Sequence, residues 1–203
     1  MAALALGLPA PGFANQNLVI KRCQPARLFR VSSHDTGEPY LGCSGGNRFD
    51  APGASAGCPE FSACYLGFTL TVAVAESVLH DEIPCGGEYG IARTTLDRQY
   101  LLRFQGSPLR LANLTGVALK RLGGHADLAG SCDYSMTQQW ALAVYRNRGN
   151  VDGFAYMSRH VNTEIAVILF DRARSKIQIA SATGLLADPA FAAAAEALGI
   201  VGI

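Results

Sequence analysis

One segment constrains the fold more than any other, a continuous run of Ile, Val, Leu and Phe within residues 164–171 (EIAVILFD). An apolar run of this length with charged residues at its ends is typical of a buried β-strand. A second buried strand is predicted at residues 61–68, and Thr69 is placed to cap a helix with the sequence TLTVAVAESVLHDE. Because this helix is apolar on nearly every face, we expect it to pack inside a core.

Strand-like and helix-like segments alternate along the rest of the chain. Strands are predicted at ARLFRV, RQYLLRF, PLRLANL and FAYMS, and helices at TGVALKRLGG and at MTQQWALAVYRN, which Asp133 or Ser135 caps. Asp188 and Pro189 begin a last helix, FAAAAEAL, and Gly199 ends it. The 203 residues are about the length of one domain, and 49% of them are apolar. The sequence therefore predicts the α+β class, as a single mixed α/β domain.

The composition excludes several classes of protein. Disordered chains have few apolar and many charged residues, whereas here 49% of the residues are apolar and 16% are charged. A disordered chain is therefore excluded. The net charge of +1 gives no attraction to nucleic acid or to an anionic membrane, and no apolar run reaches the roughly 18 residues that span a bilayer. The six cysteines are dispersed without a C-x-x-C pair, which favours reduced thiols. We expect a cytoplasmic protein that binds neither a membrane nor, directly, nucleic acid.

Residues 32–59 are rich in glycine and turn-forming residues, and such a long irregular segment is often functional. It contains GASAG at residues 53–57, which matches the G-x-S-x-G pattern of serine hydrolases. The flanking residues do not supply the strand and helix that this pattern requires, so a hydrolase with Ser55 as nucleophile is the last alternative. The four histidines are far apart in sequence, and no metal site is predicted.

Glu76 lies in the middle of the apolar helix, where its carboxylate is either exposed on a narrow polar stripe with Ser77 or directed into an apolar pocket. Fourteen of the 17 basic residues are arginines, whose guanidinium groups bind anions in a fixed geometry. The chain before Glu76 contains three further candidate site residues, Arg30, Arg48 and Tyr65. Two arginines, a carboxylate and an aromatic ring suit an anionic ligand that carries a flat ring and a sugar.

Five segments in this order resemble the RES domain: LFRVS with Arg30, GGNRFD with Arg48, CYLGFTLTVAVAES with Tyr65 and Glu76, DGFAYMSRH with Ser158, and the strand EIAVILF. The resemblance covers roughly residues 27–170. It implies a fold like that of the ADP-ribosyltransferase toxins. We expect an RES domain at residues 21–185, a loosely ordered N-terminal arm at 1–20, and a C-terminal helix at 186–203 packed on the domain. The segment between Arg48 and Tyr65 is longer than is usual in the family.

The resemblance also implies an enzyme, the toxin of a bacterial type II toxin–antitoxin system that degrades NAD. It would cleave the bond between nicotinamide and ribose, by phosphorolysis rather than hydrolysis. NAD would then be the substrate and inorganic phosphate a co-substrate, with no permanently bound cofactor. A carboxylate can stabilise the cationic sugar that forms, which is the role expected of Glu76.

The other site residues have expected roles of their own. Arg30 and Arg48 would hold the pyrophosphate, since guanidinium groups bind phosphate oxygens in pairs. Tyr65 would stack on the nicotinamide or the ribose. Ser158 would bind the substrate or position the incoming phosphate. Glu76, Arg48 and Tyr65 are thus the predicted catalytic residues.

Two other functions remain open from the sequence. The same pocket would serve an ADP-ribosyltransferase that modifies a protein target, or a catalytically silent module that binds NAD or a partner. The resemblance further implies a cognate antitoxin of the Xre type, a helix-turn-helix protein that blocks the active site. The expected assembly is a homo-oligomer or a hetero-oligomer with that antitoxin.

Overall fold

The structure is a computed structural model that describes residues 5–57 and 59–202. In this part of the chain the strands are β1 (Ile20–Cys23), β2 (Phe29–Ser32), β3 (Ala63–Gly67), β4 (Tyr89–Gly90), β5 (Tyr100–Gly106), β6 (Leu109–Leu114), β7 (Gly153–Met157), β8 (Ile165–Phe170), β9 (Ile177–Gly184) and β10 (Ile200–Val201). The α-helices are α1 (Leu70–Ser77), α2 (Arg93–Leu96), α3 (Gly116–Arg121), α4 (Asp127–Gly130), α5 (Tyr134–Arg146) and α6 (Pro189–Leu198). The first four residues of the predicted arm, Cys58 and Ile203 lie outside the described residues.

Eight strands form one mixed sheet in the order β1-β6-β7-β8-β3-β2-β5-β9, and β4 pairs with β10 separately. Neighbouring strands of the large sheet are antiparallel except β6 and β7, which are parallel. A parallel pair needs a long connection, and the chain between β6 and β7 supplies it with α3, α4 and α5. The mixed α/β fold predicted from the sequence is confirmed.

The N-terminal residues and α5 pack together over one core cluster. Phe154 of β7 and Trp140 of α5 are buried in this cluster together with Phe13. The indole Nε1 of Trp140 donates a hydrogen bond of 2.9 Å to the carbonyl oxygen of Gly7. The expectation of a loosely ordered arm is therefore wrong for residues 5–19, because a buried tryptophan and a buried phenylalanine fix this segment on α5.

A second cluster joins α1 and α6 to the part of the sheet formed by β2 and β5. Its buried side chains include Val31, Val74, Leu101 and Phe191. At Gly67 the chain leaves β3 and turns tightly into α1, since an added Cβ would lie 2.8 Å from the carbonyl oxygen of Thr69 and 2.9 Å from the amide of Ala73. Thr69 caps the helix as predicted, accepting a hydrogen bond from the amide of Val72. This tight turn places the last turn of α1 beside the sheet.

Several elements differ from the sequence prediction, among them the short elements β4, α2, α4 and β10, which were not predicted. Helix α1 ends at Ser77 and does not continue to residue 82, because the exposed residues after Leu79 have no apolar surface to pack and Pro84 disfavours further helix. Strands β1 and β9 were not predicted. Both lie at the ends of the sheet and expose several of their residues, so neither shows a clear apolar alternation.

In the described part of the chain, no helix has both the length and the apolar character needed to cross a bilayer. The cysteines whose pairing is described are all free. Burial raises the pKa of one of them, Cys64 on β3, to about 11, so its thiol stays protonated at neutral pH.

Replacement of Gly153 by Ala is expected to destabilise the fold. A Cβ at this position would lie 1.9 Å from the carbonyl oxygen of Ile168, in the backbone of the neighbouring strand β8, so β7 and β8 would have to separate. We expect Gly153→Ala to lower the free energy of unfolding by about 2–4 kcal/mol, measured by urea denaturation. Gly130→Ala is the matched control, because nothing lies within 4 Å of a Cβ there. Equal stability of the two variants would contradict the described strand spacing.

Loss of the Asp188 carboxylate is expected to weaken the attachment of α6 in a pH-dependent way. Asp188 is buried, caps α6 at the amide of Ala190, and bonds to the guanidinium of Arg103 at 2.6 and 3.1 Å. The bond from Arg103 lowers the pKa of Asp188 below its ordinary value of 3.8. We expect Asp188→Ala to lower the free energy of unfolding by about 1–3 kcal/mol at pH 7.

The sign of the pH effect follows from the lowered pKa. The carboxylate stabilises the fold above pH 3.8, and the native protein loses that contribution as the pH falls through the lowered value. The difference between native protein and variant should thus be constant from pH 7 to pH 5 and shrink in more acidic solution. Denaturation curves across this range would test it, and a difference that grows with acidity would be inconsistent with the ion pair.

Candidate active site

A cavity of about 480 Å³ opens between the long loop after β2, strand β3, the end of α1 and the turn after β7. Its size lies in the usual range for small-molecule sites, about 300–1,000 Å³. The lining residues include four of the five predicted site residues, namely Arg30, Arg48, Tyr65 and Glu76. The fold therefore brings these residues together from three strands or loops and one helix.

Glu76 is half-buried near the end of α1, and its carboxylate reaches the cavity. Its Oε1 accepts a hydrogen bond of 2.6 Å from the hydroxyl of Ser158. The neighbouring Ser77 is exposed, and its hydroxyl donates back to the carbonyl oxygen of Ala73. Glu76 therefore faces a pocket, as in one of the two placements open from the sequence, but this pocket is lined by arginines and histidines and is not apolar.

Ser158 lies directly after β7 and is almost fully buried, with 1% of its surface exposed. Besides donating to Glu76, its Oγ accepts hydrogen bonds from the amides of His160 and Val161 at 3.2 and 3.1 Å. Ser158 is not among the residues that line the cavity. Its hydroxyl thus connects the turn after β7 to the carboxylate of Glu76. Ser158 orients that carboxylate without lining the cavity itself.

Arg48 is a buried cation, with 8% of its surface exposed. Its Nη1 donates to the carbonyl oxygen of Ser131, and its guanidinium lies 4.7 Å from the centre of the Tyr134 ring. Among the described residues no carboxylate lies within 4 Å of it. Burial lowers the pKa of Arg48 below its ordinary value, and the guanidinium still stays charged at neutral pH. A buried cation without a counter-ion favours an anionic ligand.

Arg30 differs from Arg48 because it is already paired. Strands β2 and β3 are paired at a single position, and beyond it Arg30 Nη1 donates to the carbonyl oxygen of Tyr65 at 2.9 Å. Its Nε lies 3.0 Å from Oε2 of Glu38, whose side chain is 1% exposed. The hydroxyl of Ser32 donates to the other carboxylate oxygen of Glu38. Arg30 therefore connects β2 to β3 by a side-chain hydrogen bond, and Glu38 neutralises its charge.

Two of the four tyrosines that line the cavity, Tyr65 and Tyr156, are held in place by burial, and Tyr65 is also held by hydrogen bonds. The Tyr65 hydroxyl accepts a hydrogen bond from the amide of Phe49 at 3.0 Å and donates to Oδ1 of Asp50 at 3.2 Å. Burial, followed by the nearby Asp50, raises the pKa of Tyr65 well above its ordinary value, so the hydroxyl stays neutral. Tyr156 of β7 is buried beside it and also lines the cavity. The long loop is thus fixed to the sheet through Tyr65.

Several residues that line the cavity were not predicted from the sequence, and among them His80 and His160 are the most reactive in type. His80 follows Glu76 by four residues, in the turn after α1, and His160 follows Ser158 by two residues, so proximity to the predicted site was the available signal. Burial lowers the pKa of His160 below its ordinary value of 6.5, against the opposing effect of Glu76. The exposed Arg159 also lines the cavity and adds a third guanidinium.

The backbone at Ser55 lacks the context of a serine-hydrolase nucleophile. Ala54–Ala56 is a single turn of 3-10 helix between Gly53 and Gly57, both in the left-handed conformation. No strand leads directly into this turn and no α-helix follows it in the described residues around it. The strand–turn–helix geometry that exposes such a serine is therefore missing.

Comparisons with known proteins agree with this arrangement. A family model described as the RES domain matches residues 25–188. The fold is similar to that of a chain in the crystal structure of the M. tuberculosis MbcT–MbcA toxin–antitoxin complex. That similarity has a TM-score of 0.55 at 14% identity and covers 82% of this chain and 84% of that one. No curated protein matches the sequence.

Removal of the Ser158 hydroxyl is expected to destabilise the protein. Ser158→Ala would leave the amides of His160 and Val161 without their acceptor and the carboxylate of Glu76 without its donor. Unpaired buried polar groups cost about 1–3 kcal/mol, so we expect a loss of that size in the free energy of unfolding. Denaturant titration would measure it, with the exposed Ser135→Ala as the control. If both variants were as stable as the native protein, this network would not hold the turn.

Proposed function

The chain belongs to the RES domain family, and we propose that it is the toxin of a toxin–antitoxin pair that degrades NAD by breaking the bond between nicotinamide and ribose. The observation that supports this most directly is that Glu76 and Arg48 line one cavity and that, among the described residues, no carboxylate lies within 4 Å of Arg48. A carboxylate and a guanidinium without a counter-ion suit a substrate that has a cationic centre and phosphate groups. NAD has both: the nicotinamide ring nitrogen is cationic, its charge passes to the ribose as the bond breaks, and the pyrophosphate supplies the phosphate groups.

Glu76 is the proposed catalytic carboxylate. As the bond to nicotinamide breaks, its electron pair leaves with the ring nitrogen, and positive charge develops on the ribose. A fixed carboxylate stabilises that charge only when it is already oriented, because reorganisation during the reaction reduces its effect. Ser158 supplies this orientation through its 2.6 Å hydrogen bond to Oε1, and the second carboxylate oxygen is left for the sugar.

Arg48 is the proposed binding residue for the pyrophosphate. Its guanidinium has no carboxylate within 4 Å among the described residues, so a phosphate oxygen would provide its missing counter-ion. Arg30, which Glu38 neutralises, is better suited to shape the cavity wall and to donate one further hydrogen bond. Tyr65 and Tyr156 provide aromatic surface for the nicotinamide or the ribose.

We favour inorganic phosphate over water as the acceptor. Arg159 lines the cavity in addition to Arg30 and Arg48, and a third guanidinium suits a second anion. In this reaction a phosphate oxygen forms the new bond to the ribose carbon, neutral nicotinamide leaves, and ADP-ribose-1″-phosphate is the other product. Hydrolysis would give free ADP-ribose instead.

The proposed partner is an antitoxin that covers this cavity. The structurally similar chain comes from a toxin–antitoxin complex, and the cavity opens at a surface formed by exposed residues such as His80 and Arg159. An antitoxin of the Xre type that occupies the opening would exclude NAD. A hetero-oligomer with this antitoxin is the expected resting assembly in the cytoplasm.

Glu76→Gln is expected to reduce NAD turnover by roughly 100-fold or more, because the amide keeps the shape of the side chain but loses its charge. The measurement is mass spectrometry of NAD and its products after incubation with the antitoxin-free full chain, with and without inorganic phosphate. The matched control is Glu196→Gln, an exposed position on α6 outside the cavity. We expect ADP-ribose-1″-phosphate and nicotinamide when phosphate is present, from the native chain and the control.

Each other outcome assigns a different function. Full turnover by Glu76→Gln would contradict the role of the carboxylate, and free ADP-ribose as the sole sugar product would indicate hydrolysis. Label from adenine-labelled NAD that becomes attached to protein would indicate an ADP-ribosyltransferase. Bound but intact NAD in every sample would indicate a silent binding module.

A further inference from the structure

Three potential metal ligands meet at the mouth of the cavity: a carboxylate oxygen of Glu76 and one ring nitrogen each of His80 and His160. These three atoms all lie within 4.8 Å of one another. All three residues line the cavity, and both histidines are exposed to solvent. The chemistry proposed above assigns no role to either histidine, so the cluster needs a separate explanation.

The fold holds this cluster from two sides. Glu76 lies in the last turn of α1, and His80 follows it by four residues, just after α1 ends at Ser77; both side chains line the cavity. His160 belongs to the turn after β7, and its backbone amide donates to the same Ser158 hydroxyl that donates to Glu76. The rings of His80 and His160 are 5.2 Å apart, centre to centre, and inclined at 50°. One buried serine thus fixes the third ligand opposite the first two.

The spacing is close to that of a bound ion. If the three ligand atoms are 4.8 Å apart, the largest separation, the centre of their triangle lies about 2.8 Å from each atom (4.8 divided by the square root of 3). Zinc binds nitrogen and oxygen ligands at about 2.0–2.2 Å. A movement of less than about 1 Å per ligand closes this difference. The two histidines can make it by side-chain rotation, because both are exposed. The second oxygen of Glu76 remains available while Oε1 keeps its bond to Ser158.

We propose that Glu76, His80 and His160 bind a divalent ion of the zinc class at the mouth of the cavity, and that the bound ion inhibits the enzyme. The inhibition rests on the function proposed above, because the ion would take the carboxylate that stabilises the ribose cation. The binding itself does not depend on that function. Three protein ligands leave a fourth position for water, which is the arrangement of an exchangeable site.

The ligand types and the neighbouring charges define which ions bind and how tightly. Two imidazoles and one carboxylate suit zinc, nickel and copper, whereas magnesium and calcium prefer oxygen ligands alone. Arg48 and Arg159 line the same cavity, and their positive charges oppose a cation at this position. The expected affinity is therefore lower than that of a closed four-ligand site, which fits a reversible inhibitor.

The binding test uses zinc, without NAD, on the antitoxin-free full chain. A competition titration with a zinc indicator should show one site that is weakened about tenfold or more in His80→Gln and in His160→Gln. His34→Gln is the matched control, since His34 is exposed and does not line the cavity. Exposed cysteines also bind zinc, so the difference between His160→Gln and His34→Gln is the decisive quantity. Equal zinc affinity in these two variants would overturn the proposed site.

Two further measurements separate the parts of the proposal. Cobalt bound at the same site should give visible absorption bands that are lost in His160→Gln and retained in His34→Gln, and magnesium should not displace zinc. In the NAD assay, zinc should inhibit the native chain, and a chelator should restore turnover. Zinc that binds at these residues without changing turnover would overturn the inhibition alone. A chain that binds zinc but never consumes NAD would contradict the proposed function and leave the metal site in place.

Discussion

The hydrogen bond between Ser158 and Glu76 is the contact on which the geometry of the cavity depends. It connects the end of α1 to the turn after β7, two segments that are 82 residues apart in sequence. The Ser158 Oγ is held by two further bonds, which it accepts from backbone amides, and the helix that carries Glu76 is capped by Thr69. A carboxylate fixed in this way needs little reorganisation to stabilise a developing cation, which is the main source of electrostatic catalysis.

The two central arginines show how burial assigns different roles to the same residue type. Arg30 has Glu38 as a buried counter-ion and donates to the backbone of β3, so its charge is balanced within the protein. Arg48 is buried, and its guanidinium contacts the carbonyl oxygen of Ser131 and the ring of Tyr134. Among the described residues no carboxylate lies within 4 Å of it. Since a buried charge is stable only when it is compensated, a ligand phosphate would complete the surroundings of Arg48.

The proposed catalysis and the proposed ion binding both use the carboxylate of Glu76, so they cannot occur at the same time in one molecule. Glu76 can face the ribose or bind an ion with His80 and His160, because the ion would neutralise the negative charge that the reaction needs. Ser158 orients Glu76 for either role and holds His160 nearby. A site built in this way would couple NAD consumption to the supply of a zinc-class ion without any conformational change in the sheet.

The sequence by itself determined what depends on near neighbours in the chain. The apolar strand at residues 164–171, the caps at Thr69 and Asp188 and the mixed α/β class follow from local patterns, and the structure contains each of them. The resemblance to the RES domain selected four of the residues that line the cavity, Arg30, Arg48, Tyr65 and Glu76, and also Ser158, which bonds to Glu76. The tertiary structure alone decided the pairing of Arg30 with Glu38, the meeting of His80 with His160, the early end of α1 and the weakly patterned strands β1 and β9. These features depend on contacts between segments that are distant in the chain and on which faces of the helices and strands are buried. Local sequence patterns determine neither of them.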